Sequence, residues 1–238
     1  MEGKFDFEER EGLCNFIKTS DRFTNGPLVK EFEKIWSNWV GSKNSSMVNS
    51  GASGNYLSTA ILKHTKGKGE VIVPSLGWST DISSLIQLGL TPVIVDINPQ
   101  NLCMDEGALE NAITSETIGV VLIHTLGFNG LSEKIIDICK KNSLFLIEDC
   151  CEAHGATFKG KRVGSFGDLS VFSFYYGHHI TTIEGGMVCS NDEEFLNLAR
   201  MYRSHGMTRE ASQELKDKYK NDFKDLNPLF TFAVPGFN

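Results

Sequence analysis

The sequence predicts an α/β protein with a mostly parallel central sheet covered by helices on both faces, and three observations carry that expectation. After Asn55, short β-branched runs alternate with amphipathic stretches of about a dozen residues, the pattern of stacked βα units. The runs are apolar throughout, as strands buried on both faces are. The chain has 238 residues, 40% of them apolar and 22% charged, enough for one sizeable core or a core with a small appendage.

Residues 1–24 form an N-terminal segment, and the domain proper is expected over 25–238. PLVKEFEKIWSNWVG at 27–41 is a strong amphipathic helix, with Pro27 in its first turn and Gly41 just past its end. Its Trp36 and Trp39 fit a core or an interface equally well. A short strand then leads through the Ser/Gly-rich turn of VNSGASGNYLSTAIL into a helix at 53–63. Strands follow at 71–74 (VIVP), 92–97 (PVIVDI), 118–124 (IGVVLIH), 144–149 (LFLIED) and 169–174 (LSVFSF), with helices at 79–89, 106–113 and 131–141, the last capped by Ser132. DEEFLNLARMYRSHG at 192–206 is a further helix, begun by Asn191 or Asp192. The charge-dense 208–228 reads as an exposed helix and loop.

The formal charge of −7 argues against nucleic acid or an anionic membrane as a main partner. No apolar run approaches the roughly 20 residues that span a bilayer, and MEGKFDFEER has no signal-like apolar core. The expectation is a soluble, cytoplasmic protein. Six dispersed cysteines form no C-x-x-C pair, so reduced, mostly buried thiols and no metal site are expected.

Ligands of open α/β sheets bind beyond the carboxyl ends of the strands, and four loops there carry unusual residues. In the first, Gly51 permits a tight turn and the N–H groups of Ala52 and Ser53 at a helix start make an anion site, although such a turn is also an ordinary cap. The second places Trp78 after a buried strand, where it can stack on a planar ring or simply pack. The third brings Glu148 and Asp149 to the end of the most apolar strand, with Glu152 and His154 beyond. A carboxylate there needs a partner: a protonated heterocyclic nitrogen, an arginine or a helix N-terminus. The fourth delivers Ser173, then the tandem His178 and His179 suited to acid–base work, then Glu184, Gly185 and Gly186.

In this order, SGxS before a helix, VPS-x-x-W, PVxVDI, IEDxxxAHGA, GxxVGSFGDLSVFSF and EGGMV resemble the DegT/DnrJ/EryC1/StrS group of pyridoxal-phosphate-dependent nucleotide-sugar aminotransferases, from about Asn25 to Asn238. The resemblance implies the large domain of the aspartate aminotransferase-like fold. Asp149 would pair with the cofactor's pyridine nitrogen, Trp78 would stack on the ring, and Glu152 stands where the family usually has a glutamine at the ring hydroxyl. Ser173 with Gly51, Ala52 and Ser53 would hold the phosphate. Asn238, in a GFN that matches a family GYN, would reach the neighbouring subunit's phosphate in a homodimer.

The departure from the family pattern is His178, which stands where the aminotransferases carry the lysine that forms a Schiff base. Lys159 and Lys161, the only lysines between Asp149 and Gly186, lie in a polar surface turn. Lysine-to-histidine replacement marks the sugar 3-dehydratase branch. The resemblance then implies pyridoxamine phosphate (or pyridoxal phosphate) as cofactor and a nucleotide-linked 4-keto-6-deoxy sugar as substrate. His178 would remove a proton from the cofactor's C4′ carbon and protonate the hydroxyl leaving sugar C3. One subtype carries an iron–sulfur cluster, but residues 205–238 contain no cysteine. The expected subtype is therefore the cluster-free one, resembling GDP-4-keto-6-deoxymannose 3-dehydratase, with glutamate as the expected amino donor. An aminotransferase that kept its ordinary reaction and a non-catalytic relative are the alternatives. The chain ends at VPGFN, which on this resemblance leads to the expectation of a truncation before a smaller C-terminal domain.

Overall fold

Alternation along buried strands sets the architecture, because each successive side chain points to the opposite face of the sheet. The computed structural model describes residues 5–237. Its strands are β1 (Asn44–Val48), β2 (Glu70–Pro74), β3 (Thr91–Val95), β4 (Thr117–Ile123), β5 (Phe145–Asp149), the short β6 (Thr157–Phe158) and β7 (Lys161–Arg162), β8 (Leu169–Ser173) and β9 (Gly186–Ser190). Seven of them form one sheet in the order β1-β9-β8-β5-β4-β2-β3, in which only β9 runs against the rest.

The helices are α1 (Phe7–Thr19), α2 (Pro27–Val40), α3 (Gly51–Lys66), α4 (Ser79–Gln87), α5 (Glu106–Ala112), α6 (Glu133–Lys141), α7 (Glu193–Tyr202) and α8 (Gln213–Asp222). Val120, Leu122 and Leu146 pack on one face with Trp36 of α2, Leu109 of α5 and Ile135 of α6. Val121, Ile123, Phe145 and Ile147 pack on the other with Leu57 and Ile61 of α3, Leu85 of α4 and Ala199 of α7. The expected sheet with helices on both faces is therefore what forms. Trp36 sits in the core against Phe172 and Phe174, and the half-buried Trp39 packs on Trp36 beneath the Arg162 guanidinium.

Several elements differ from the sequence reading for physical reasons. β3 is an edge strand, where Pro92 can pair without donating on its outer side, so Ile94 is 57% exposed rather than covered on both faces. EGGMV, read only as a motif, starts the antiparallel strand β9. A Cβ on Gly186 would lie 2.4 Å from the Ser50 carbonyl oxygen, so this strand can cross the start of α3 only with glycine there. Within residues 1–24, α1 forms behind a capping box: Asp6 accepts from the Glu9 N–H at 2.8 Å and Glu9 accepts from the Asp6 N–H at 2.9 Å. None of its residues is buried. The hairpin of β6 and β7 turns through Lys159 and Gly160, both at positive φ, and with its flanking loops takes the place of a helix between β5 and β8. Among the described residues no helix is long and apolar enough to cross a membrane.

Candidate active site

A cavity of about 650 Å³ opens beyond the carboxyl ends of β1, β2, β4, β5 and β8. Gly51, Ala52, Trp78, Asp149, Glu152, Ser173 and His178 all line it. Ser53 does not, and Asn238 lies outside the described residues.

The phosphate-type end is built where α3 begins. Its helical turn starts at Gly51, two residues earlier than expected, with Ser50 as N-cap accepting the Ser53 N–H at 3.1 Å. The Ser53 N–H, one of the two donors expected for an anion, is therefore taken by the cap, while Gly51 and Ala52 of the same turn line the cavity. Gly51 also serves a different purpose from the tight turn anticipated. Its φ is not positive, but a Cβ there would strike Ser173 and Cys151, so glycine is needed for close approach. The buried Ser173 hydroxyl accepts the Tyr175 N–H at 3.2 Å and faces the same corner.

At the other end, alternation along β5 separates two adjacent carboxylates. Asp149 turns to the α3 face and lines the cavity, where its Oδ2 accepts from Asn55 Nδ2 at 2.7 Å and its Oδ1 accepts from the Cys151 N–H at 2.9 Å. The same Asn55 amide donates to Asp81 Oδ1 at 2.9 Å. Burial, and then the neighbouring Asp149 charge, push the Asp81 carboxyl well above the ordinary carboxylate range.

Glu148 turns the opposite way and accepts from the Gly164, Phe166 and Gly167 N–H groups at 2.8, 2.8 and 2.6 Å. His124 Nδ1 accepts the Gly130 N–H at 3.0 Å, which leaves its proton on Nε2, 3.1 Å from Glu148 Oε2. Although burial pushes Glu148 up, these donors outweigh it and hold the carboxyl below its ordinary value. His124, Glu148 and Cys150 lie within the reach of a metal ion. With Glu148 occupied by four donors and the Cys150 thiol pushed far up by burial, the trio suits a structural lock rather than a metal.

At the mouth, Trp78 is 73% exposed and leads into α4, while Glu152 Oε2 accepts the Leu126 N–H at 2.8 Å and so ties the loops after β4 and β5 together. The half-buried His178 stands in the turn after β8, its N–H bonded to the Tyr175 carbonyl oxygen at 3.0 Å. His179 is exposed at the rim. His154 packs edge-on to both rings, with centroids 6.4 Å from His178 and 5.7 Å from His179.

Sequence reasoning missed Asn55, Asp81 and Cys151. A polar Asn55 four residues after Gly51, one turn into the helix that opens on the Ser/Gly-rich turn, was the available signal. Asp81 reads from sequence as a helix-start residue, and it does accept the Trp78 N–H at 3.2 Å. The donor set fits a planar cofactor with a phosphate at one end and a protonated ring nitrogen at the other: N–H groups and a hydroxyl face an anionic floor across a cavity lipped by an exposed indole.

Residues 6–237 match the family model described as the DegT/DnrJ/EryC1/StrS aminotransferase family. The chain is 37% identical over 239 residues to the GDP-4-keto-6-deoxy-D-mannose 3-dehydratase of Yersinia pseudotuberculosis, covering 98% of this chain and 61% of that protein. It is 32% identical over 235 residues to the GDP-perosamine synthase of Caulobacter vibrioides, covering 99% and 58%. The Escherichia coli GDP-4-keto-6-deoxy-D-mannose-3-dehydratase with bound hydrated PLP superposes with a TM-score of 0.87 at 34% identity, over 100% of this chain and 62% of that one. The chain spans about three-fifths of the length of the curated relatives it matches.

Proposed function

The chain belongs to the DegT/DnrJ/EryC1/StrS aminotransferase family, and on that premise we propose that it is a pyridoxamine-phosphate-dependent 3-dehydratase of a nucleotide-linked 4-keto-6-deoxy sugar, a GDP-linked one by its likeness to the Yersinia enzyme. One observation carries this reading: His178 lines the cavity and, among the described residues, no lysine does. Lys159 and Lys161 stand on the β6–β7 hairpin, where Lys159 pairs with Glu133.

When bound, pyridoxamine phosphate supplies an amine that condenses with the sugar ketone and a ring that accepts electrons. The residues of the chain do the rest. Gly51 and Ala52 N–H groups and the Ser173 hydroxyl bind the phosphate at the positive end of α3. Asp149 keeps the ring nitrogen protonated, Glu152 takes the ring hydroxyl and Trp78 covers a ring face. His178 accepts a proton at its imidazole and returns it to the oxygen leaving sugar C3; an imidazole exchanges protons near neutrality but forms no stable Schiff base. Glutamate restores the amine, and a second copy of the chain completes the site through Asn238 in a cytoplasmic homodimer that makes deoxysugars for surface polysaccharide.

The test is chemical. With pyridoxamine phosphate, glutamate and a GDP-linked 4-keto-6-deoxy sugar, the protein releases ammonia as the sugar loses its C3 oxygen, and borohydride traps no cofactor on any lysine. A borohydride-stable lysine adduct would instead establish an aminotransferase. Absence of cofactor binding would establish a non-catalytic member.

A further inference from the structure

A carboxyl beside Asp149 has no task in the chemistry above. Asp81 is 2% exposed, and among the described residues neither it nor Asp149 pairs with a lysine or arginine. Two carboxyl groups sharing one pocket cannot both ionise cheaply, so one keeps a proton. Asp81 is the one driven in that direction, by burial and by the Asp149 charge. A single amide, Asn55 Nδ2, spans the pair with bonds of 2.9 and 2.7 Å. The far oxygen, Asp81 Oδ2, is held by the Trp78 N–H at 3.2 Å, which links this pair to the indole at the cavity mouth.

We infer that Asp81 is a positioning residue of the site: by taking one N–H of the shared Asn55 amide it aims the other at Asp149, and so fixes the Asp149 carboxylate where the cofactor's ring nitrogen is to be met. An acid in this place offers the Asn55 amide an acceptor without adding a second negative charge, and an aspartate at the start of α4 ties the floor of the cavity to the loop carrying Trp78. The titratable groups around it are Asp149 and the Cys151 thiol, which burial pushes far up and so keeps uncharged. The inference rests on the reading of Asp149 as partner of the ring nitrogen, and the experiment separates the two.

The protein is labelled with 13C at aspartate carboxyl carbons, and the Asp81 resonance is assigned by its loss in Asp81→Asn. It is expected at a carboxylic-acid position at pH 7 in the cofactor-free protein, and to move when pyridoxal phosphate is added. Pyridoxal phosphate affinity, read by fluorescence, should fall roughly ten-fold in Asp81→Ala, about the worth of one hydrogen bond to a charged group, and recover in Asp81→Asn, which keeps an acceptor oxygen for the Asn55 amide. Thermal unfolding of the same variants separates this from a loss of helix capping, which would lower the melting temperature of both alike and leave affinity unchanged. If Asp149→Asn binds pyridoxal phosphate as tightly as the parent, the reading of Asp149 fails. If Asp149→Asn weakens binding while Asp81→Ala does not, or if the Asp81 resonance is that of a carboxylate, the inference about Asp81 alone is overturned.

Discussion

Gly51 and Ser173 meet so closely that a Cβ on residue 51 would lie 2.7 Å from the Ser173 Cβ, and 2.8 Å from the Cys151 sulfur. Three strand ends converge at this contact, those of β1, β5 and β8, and the phosphate-type corner of the cavity exists because residue 51 has no side chain. Gly51→Ala sets two effects in opposition. Alanine favours the helix by about 1 kcal/mol, whereas overpacking of a tight site costs about 1–3 kcal/mol. The clash should dominate: we expect a fall of a few degrees in melting temperature and a loss of pyridoxal phosphate binding of at least roughly ten-fold, about the effect of one displaced charged hydrogen bond. Calorimetry beside a binding titration checks both, and unchanged affinity would remove residue 51 from the phosphate site.

His178→Lys tests whether the identity of one side chain selects the reaction. A lysine in the turn after β8 would reach the same cavity with an amine in place of an imidazole. The variant should gain a borohydride-trappable cofactor adduct and lose C3 deoxygenation by at least about 10²-fold, the usual worth of a positioned acid–base group. Mass spectrometry of the reduced protein and product analysis read the two outcomes. Deoxygenation at the parental rate would show that another group moves the proton.

The legible part of this molecule was whatever follows from periodicity. Five of the six parallel strands and the α2, α4, α5 and α6 helices fall within a few residues of their expected limits, since continuous apolar runs and capped amphipathic stretches encode them locally. Asp149, Ser173 and Trp78 were legible because strand ends at the carboxyl edge of such a sheet converge. What escaped depends on contacts distant in sequence. β9 is a strand only because it fits between β1 and β8, and Asn55 matters only because Asp81 and Asp149, 26 residues and 94 residues away along the chain, meet its amide. Glu148 and Asp149 looked equivalent as neighbours, and one step of strand alternation gives them unrelated tasks.

The Glu148 lock predicts a stability effect at a distance from the chemistry. Its carboxylate, itself fully buried, binds three backbone N–H groups of the 164–167 loop and the Nε2–H of the buried His124. Glu148→Gln turns an NH2 group toward donors that have nowhere else to bond, at a cost of about 3 kcal/mol. In the parent, the folded carboxyl titrates below its ordinary value of 4.5. Its contribution is complete above that ordinary value and is lost as pH falls through the lower folded one. Urea unfolding at pH 7 should show the full difference between parent and variant, shrinking toward acid; equal midpoints at pH 7 would overturn the lock.

His154 predicts a separate acid dependence. The imidazole lies among Trp36, Phe172 and Phe174 with His178 and His179 edge-on, and neither ring nitrogen closes a hydrogen bond, the Ser173 backbone offering only a weak opposing pull. Burial first, and then the charges of His179 and His178, bring its pKa down from 6.5 to about 4. Between those values the unfolded chain binds a proton that the folded chain refuses, so stability must fall as pH drops from 6.5 toward 4, and above 6.5 the residue contributes no slope. His154→Phe keeps an aromatic ring in the cage and removes the proton site. Its melting temperature should therefore decline less steeply than the parent's across this window while matching the parent's dependence above it, and parallel curves from 6.5 to 4 would show that His154 is protonated in the folded protein.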